Sequence, residues 1–290
     1  MSGLEKEIGR QGEGQASGGA EEKENTNMVT GFHEMHSSTG GHRSATLKRI
    51  CSIDFAQLKQ LGFLGPNDQR SRQAEEYRTI KRPLLYNAFG KGAALGEQGN
   101  LIQVTSAMPG EGKTFTSINL AISMAMEQDF TVLLVDTDDV RCSCSRLLGV
   151  EDSVGLVDVL QDPKLELSDA IVPTNLPRLR LLPAGRSSGN VPELLGSERM
   201  QHLVQEMSRR YADRIVIFDS PPLLATSQST ILAQFMGQVL VVVEAGKTPL
   251  QAVLDSVAQL NRDKPIGMVL NKSPQVFKSD YYGGYYGHYQ

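Results

Sequence analysis

The stretch AMPGEGKT, residues 107–114, constrains this chain more than any other. It follows the apolar, β-branched-rich run LIQVTS (101–106) and opens a segment of helical periodicity, Thr114–Glu127. A glycine-rich turn between a strand and a helix aims several backbone N–H groups at one point. The helix dipole adds positive potential there. Gly110 and Gly112 let the backbone wrap a phosphate. Lys113 supplies a point charge for the β- and γ-phosphates, and Thr114 a hydroxyl for Mg²⁺. The candidate nucleotide contacts are therefore Pro109, Gly110, Glu111, Gly112, Lys113, Thr114 and Phe115. Ala107 stands where such loops commonly open with glycine.

Similar apolar runs recur at 131–136, 178–184, 214–219, 238–244 and 267–271. Helical periodicity lies between most of them, as in Glu193–Arg210 and Pro249–Asn261, with Thr248-Pro249 as a capped start. Continuous apolar strands alternating with helices predict an α/β fold of the P-loop NTPase type. Its mostly parallel sheet would carry helices on both faces. Residues 1–46 are rich in Gly, Ser, Glu, Lys and His and predict a disordered extension. Residues 47–90 predict a helical segment: apolar spacing over 47–64, then a charged helix over 69–82 that Pro83 ends or kinks. A P-loop domain over 91–279 and a tail over 280–290 complete the chain.

Two further runs end in acids. TVLLVDTDD brings Asp136, Asp138 and Asp139, and RIVIFDSPP brings Asp219. Ligands of open α/β sheets sit beyond the carboxyl ends of the strands, so these acids share an edge with the phosphate loop. Asp219 fits a metal-side role, with Thr114 and Asp136 beside it. Asp136 or Asp138 is the candidate base. The net charge of −4 gives no basis for bulk nucleic-acid binding. No apolar run is long enough to span a membrane, and the N-terminus predicts no secretory leader. Cys51, Cys142 and Cys144 predict ordinary thiols rather than a disulfide framework or a metal site.

The motifs AMPGEGKT (107–114), LLVDTDDVR (133–141) and IVIFDSPP (215–222) resemble those of the bacterial tyrosine kinases of polysaccharide export. AEEYRTIKRPLL (74–85), LLPAGR (181–186) and VVVEAGKTP (241–249) extend the resemblance to the soluble autokinases of exopolysaccharide loci tied to exosortase sorting. The resemblance implies ATP and Mg²⁺ as cofactors and Lys113, Asp136 and Asp138 as catalytic groups. It also implies autophosphorylation of a C-terminal tyrosine cluster, here Tyr281, Tyr282, Tyr285, Tyr286 and Tyr289. Glycines between these tyrosines suit a tail that reaches a neighbouring site.

The resemblance further implies ring-like homo-oligomers in which one subunit's tail enters the next subunit's site. Glu75 and Arg78 match the contact motif, while Lys81, with Arg82 beside it, stands where the family has arginine. A membrane activator of the chain-length-determinant type would hold the protein at the inner face of the cell membrane. Asn271 resembles the base-contacting asparagine of related ATPases, with a cap or turn role equally open. Two rivals remain: a switch ATPase of the septum-site or partitioning type, and a nucleotide-gated scaffold. The first usually carries an extra lysine at the position of Met108.

Overall fold

A computed structural model describes residues 50–90, 98–186, 189–209 and 213–273. The predicted extension over 1–46 and the tyrosine cluster lie outside the described residues. In chain order the elements are α1 (Phe55–Gln60), α2 (Arg72–Phe89), β1 (Leu101–Ser106), α3 (Lys113–Ala125), β2 (Thr131–Asp136), α4 (Ser143–Leu147), α5 (Leu156–Gln161) and α6 (Leu167–Ala170). They continue with β3 (Val172–Pro173), β4 (Leu179–Leu182), α7 (Val191–Leu195), α8 (Glu198–Arg209), β5 (Arg214–Asp219), α9 (Ser227–Ala233), β6 (Gln238–Glu244), α10 (Leu250–Ala258) and β7 (Ile266–Asn271).

The strands pair in the order β3-β4-β2-β5-β1-β6-β7. Every pairing is parallel except β3 with β4. Alternate residues of one strand enter opposite layers, as the pleat requires. Ile102, Val104, Val132, Leu134, Ile215 and Ile217 pack with residues of α2 and α3 on one face. Leu101, Leu133, Val135, Val216 and Phe218 pack with residues of α5, α7, α8 and α9 on the other. Burial on both faces is what the continuous apolar runs predict.

Three local expectations are corrected. Among the described residues of 47–64, helical spacing yields a helix only at α1. Upstream, Cys51 N–H donates to Pro173 O at 2.8 Å and Ile53 exchanges backbone bonds with the Asn175 amide. Sheet-edge pairing outcompetes one more helical turn there. Pro83 neither ends nor starts a helix but lies inside α2. The lost backbone bond is outweighed because Leu84, Leu85, Ala88 and Phe89 beyond it pack into the core. The 193–210 periodicity divides into α7 and α8, with Gly196 at the break.

Candidate active site

The phosphate loop leaves β1 and enters α3 through Gly112, which has φ +97° and caps the helix. A Cβ at 112 would lie 2.0 Å from Asn271 Nδ2, so this position admits glycine alone. Gly110, at φ +88°, has open space where its Cβ would be. Both positive φ values call for glycine, the residue that lets a backbone come close to a phosphate.

Strand register assembles the acids. Asp136 of β2 lies directly opposite Asp219 of β5, and Asp219 opposite Val104 of β1. Lys113, at the first turn of α3, reaches Asp138 Oδ2 at 3.1 Å, and both side chains are buried. Asp138 Oδ1 accepts the Arg141 N–H at 3.1 Å. Asp136 is committed to local structure: Oδ2 accepts Ser145 N–H and O–H at 2.8 and 2.7 Å, and Oδ1 accepts Asp138 N–H at 3.1 Å. Asp219 Oδ1 accepts the Ser117 hydroxyl at 2.9 Å, whereas its Oδ2 is buried with no hydrogen-bond partner.

Burial dominates the electrostatics of this edge. It pushes the Asp219 carboxyl up to about 7, with Lys113 pulling down and Asp136 adding to the rise. Asp136 is raised by burial, and its hydrogen bonds to Ser145 act in the opposite sense. A buried carboxylate with one unmatched oxygen beside a second carboxylate is a strong acceptor of positive charge. The Asp219 site therefore fits a divalent cation or its bound water, and the Thr114 hydroxyl at the start of α3 belongs to the same edge. Cys144 lies against these acids, and burial followed by their charge raises its thiol well above the ordinary value. Its neighbour Cys142 donates Sγ–H to Asp139 O at 3.2 Å, and its thiol is raised too.

A polar clamp that the sequence did not reveal holds the other flank of the loop. Glu111 is 2% exposed. Its Oε2 accepts Met108 N–H at 2.6 Å, and its Oε1 accepts the Thr248 hydroxyl and, at 3.4 Å, the Glu244 N–H. Thr248 thus ties β6–α10 to the phosphate loop, and Pro249 takes the cap position expected of Thr248. Asn271 Nδ2 donates to Glu111 O at 2.9 Å, and Lys272 Nζ to Gly110 O at 2.6 Å and Glu244 Oε2 at 3.1 Å. Asn271 therefore stands against the phosphate loop, away from the acids.

The contact motif divides. Glu75 and Arg78 are exposed enough to pair with each other on α2. Lys81 instead turns inward, donating to Ser123 O at 2.8 Å and pairing with Glu127. Arg82, one residue on, faces out. Pro109 lies in the loop between β1 and α3, and Phe115, in α3, packs its ring against Phe63 with centroids 4.8 Å apart. Among the described residues no helix is long and apolar enough to cross a membrane.

Residues 99–265 match the family described as AAA domain. The chain is 32% identical over 230 residues to the tyrosine-protein kinase YwqD of Bacillus subtilis, covering 79% of this chain and 92% of that relative. It is 30% identical over 228 residues to the tyrosine-protein kinase wzc of Salmonella typhimurium, covering 78% of this chain but 30% of the longer relative. The kinase domain of the Escherichia coli tyrosine kinase ETK superposes with a TM-score of 0.66 at 24% identity, covering 81% of this chain and 93% of that one, which supports the fold. The AAA-domain match and 32% identity across 92% of YwqD lead to one assignment: the chain belongs to the bacterial tyrosine-protein kinases.

Proposed function

We propose that this kinase uses ATP and Mg²⁺ to phosphorylate its own C-terminal cluster, Tyr281, Tyr282, Tyr285, Tyr286 and Tyr289, and thereby regulates polysaccharide export. One observation carries the proposal: Lys113, Asp138, Asp136 and Asp219 converge at the ends of three neighbouring strands, with one buried oxygen of Asp219 left unmatched.

Lys113 and the loop N–H groups stabilise charge on the transferring phosphoryl group, the main source of catalysis in such reactions. Thr114 and Asp219 would hold Mg²⁺, and Asp136, fixed by Ser145, would shape that site from behind. Mg²⁺ supplies charge neutralisation on the phosphates when bound. Phosphate oxygens compete with Asp138 for Lys113, which leaves Asp138 Oδ2 as the base. The tyrosine oxygen forms the new bond to the γ-phosphorus, ADP departs with the electrons of the broken P–O bond, and the phenolic proton passes to Asp138. Pro109–Phe115 line the phosphates, and Asn271 stands on the side where the base would lie.

Glu75, Arg78 and Arg82 share one face of α2, being three and four residues apart, and form the contact with a neighbouring subunit. Arg82 replaces Lys81 in that role. A membrane activator of the chain-length-determinant type, through its cytoplasmic segment, brings the ring to the inner face of the membrane.

The test is an intact-mass spectrum with ATP, Mg²⁺ and that activator segment, before and after phosphatase. Phosphate steps that vanish in Lys113→Met and when the five tail tyrosines become phenylalanine support the proposal. ATP hydrolysis without any phosphotyrosine would move the assignment to a switch ATPase.

A further inference from the structure

The consecutive acids Asp138 and Asp139, in the loop after β2, are held by different elements. Asp138 Oδ2 meets Lys113 at the start of α3. Asp139 Oδ1 accepts Gln228 Nε2–H, from the first turn of α9, at 2.9 Å. Gln228 and Asp139 are 7% and 6% exposed, so this bond is shielded from water. A carboxylate only accepts hydrogen bonds, so the amide must present its nitrogen to it.

Gln228 is itself fixed from below. Its N–H donates to the Thr226 hydroxyl, which caps α9, at 3.1 Å. The next residue, Ser229, is fully buried. Its carbonyl accepts Gln103 Nε2–H, from β1, at 3.0 Å, and its hydroxyl donates to Pro221 O. Gln103 Nε2 also reaches Ser220 Oγ at 2.9 Å. Buried bonds therefore run from β1 through α9 to the loop after β2. Away from water such bonds are strong, and breaking one leaves a costly unmatched group.

The same loop is tied on its upstream side as well. Thr137 N–H and hydroxyl both donate to Asp219 O, at 2.9 and 2.8 Å. Asp138 is thus bracketed, by β5 before it and by α9 after it. The bracket matters once nucleotide binds. Phosphate oxygens that engage Lys113 remove its bond to Asp138 Oδ2. The Arg141 N–H that meets Asp138 Oδ1 belongs to the same loop and moves with it. The two ties then fix Asp138 relative to the phosphates.

We propose that Gln228 is a positioning residue for phosphoryl transfer: through Asp139 it locks the loop that carries Asp138 while nucleotide occupies Lys113. This rests on the proposed function above, in which Asp138 takes the phenolic proton. Gln228 acts through the loop and not on either substrate. A reacting group displaced by about 1 Å loses on the order of a hundredfold in rate, so the lock acts on kcat rather than on binding.

The test exchanges donor and acceptor. Gln228→Glu sets a carboxylate against Asp139 and breaks the bond. Gln228→Glu with Asp139→Asn restores it with the donor on the loop side. Each full-length variant transfers phosphate to a full-length Lys113→Met copy with ATP, Mg²⁺ and the activator segment, and nucleotide affinity is read with a fluorescent ATP analogue. Gln228→Glu is expected to lower kcat by about tenfold or more and to keep nucleotide affinity within about twofold. The exchanged pair is expected to return kcat to within about threefold of wild type. If Gln228→Glu does not fold, Gln228→Met keeps the side-chain length without the N–H and gives the same loss.

A second readout needs no activity. Cys142 lies in the same loop, donates Sγ–H to Asp139 O and is half-buried, whereas Cys51 and Cys144 are buried. The rate at which iodoacetamide adds to Cys142, followed by peptide mass with the ATP analogue bound, reports how firmly the loop is held. Either Gln228 variant is expected to raise that rate by about fivefold or more.

A kcat within about twofold of wild type in the Gln228 variants overturns the proposal, and so does a loss that the exchanged pair leaves in place. An unchanged alkylation rate overturns the lock. Wild-type protein that transfers no phosphate overturns the autokinase proposal and the role of Asp138, and the alkylation rate still decides whether Gln228 holds the loop.

Discussion

At the scale of single residues, a buried glutamate governs how firmly the phosphate loop is held. Glu111 accepts hydrogen bonds from its own loop at Met108 and from Thr248, far along the chain. Removing a buried charged acceptor leaves donors unmatched and costs about 2 kcal/mol. Glu111→Ala should therefore lower stability by about that amount in urea unfolding and weaken nucleotide binding roughly tenfold. Gly112→Ala is the harsher change, since the new methyl would meet Asn271 Nδ2 at a positive φ. Isothermal titration should find no nucleotide binding, and Asn271→Ala in the same chain should leave most of the defect because the backbone strain persists. The need for glycine at 112 was legible in the motif. The clamp was not, because Glu111, Thr248, Asn271 and Lys272 reveal their relation only once β1, β6 and β7 lie side by side.

At the scale of elements, α2 is the part the sequence described least well. Its apolar spacing reads through Pro83, and local propensity argues for a stop there. Only the helix surface it finds on α3 explains why it continues. Tyr77 sits at that contact, and burial pushes its hydroxyl up to about 12. The folded state therefore holds the phenolic proton more tightly than the unfolded chain, whose tyrosine has a pKa of about 10. Stability from this group is complete below pH 10 and is lost as the pH rises toward 12. The loss approaches roughly 3 kcal/mol, and Tyr77→Phe should remove it, as urea titrations at pH 9.5 and 11.5 would show. Lys81 braces the same contact through Ser123 O and Glu127. Lys81→Met should cost about 1–2 kcal/mol and leave assembly intact. The inner strands β1, β2, β5 and β6 were legible because both faces are buried, which makes each a continuous apolar run. Two-residue β3 carries too little pattern to find.

At the scale of the whole molecule, the proposed contact between copies rests on the outward face of α2. Arg78→Glu with Arg82→Glu reverses the charge of that face without touching the core. Light scattering should report smaller assemblies, with the melting temperature within a few degrees of wild type. Mixed with Lys113→Met acceptor, this variant should also transfer phosphate more slowly.

The bond from Lys272 to the Gly110 carbonyl has a further consequence. It makes the end of β7 part of the same mechanical body as the phosphate loop. Coupled equilibria are reciprocal, so the factor by which nucleotide changes a neighbour's hold on the tail is the factor by which that hold changes nucleotide affinity. In the proposed assembly, a neighbour's hold and nucleotide occupancy are then linked through the bonds that Asn271 and Lys272 make to the phosphate loop.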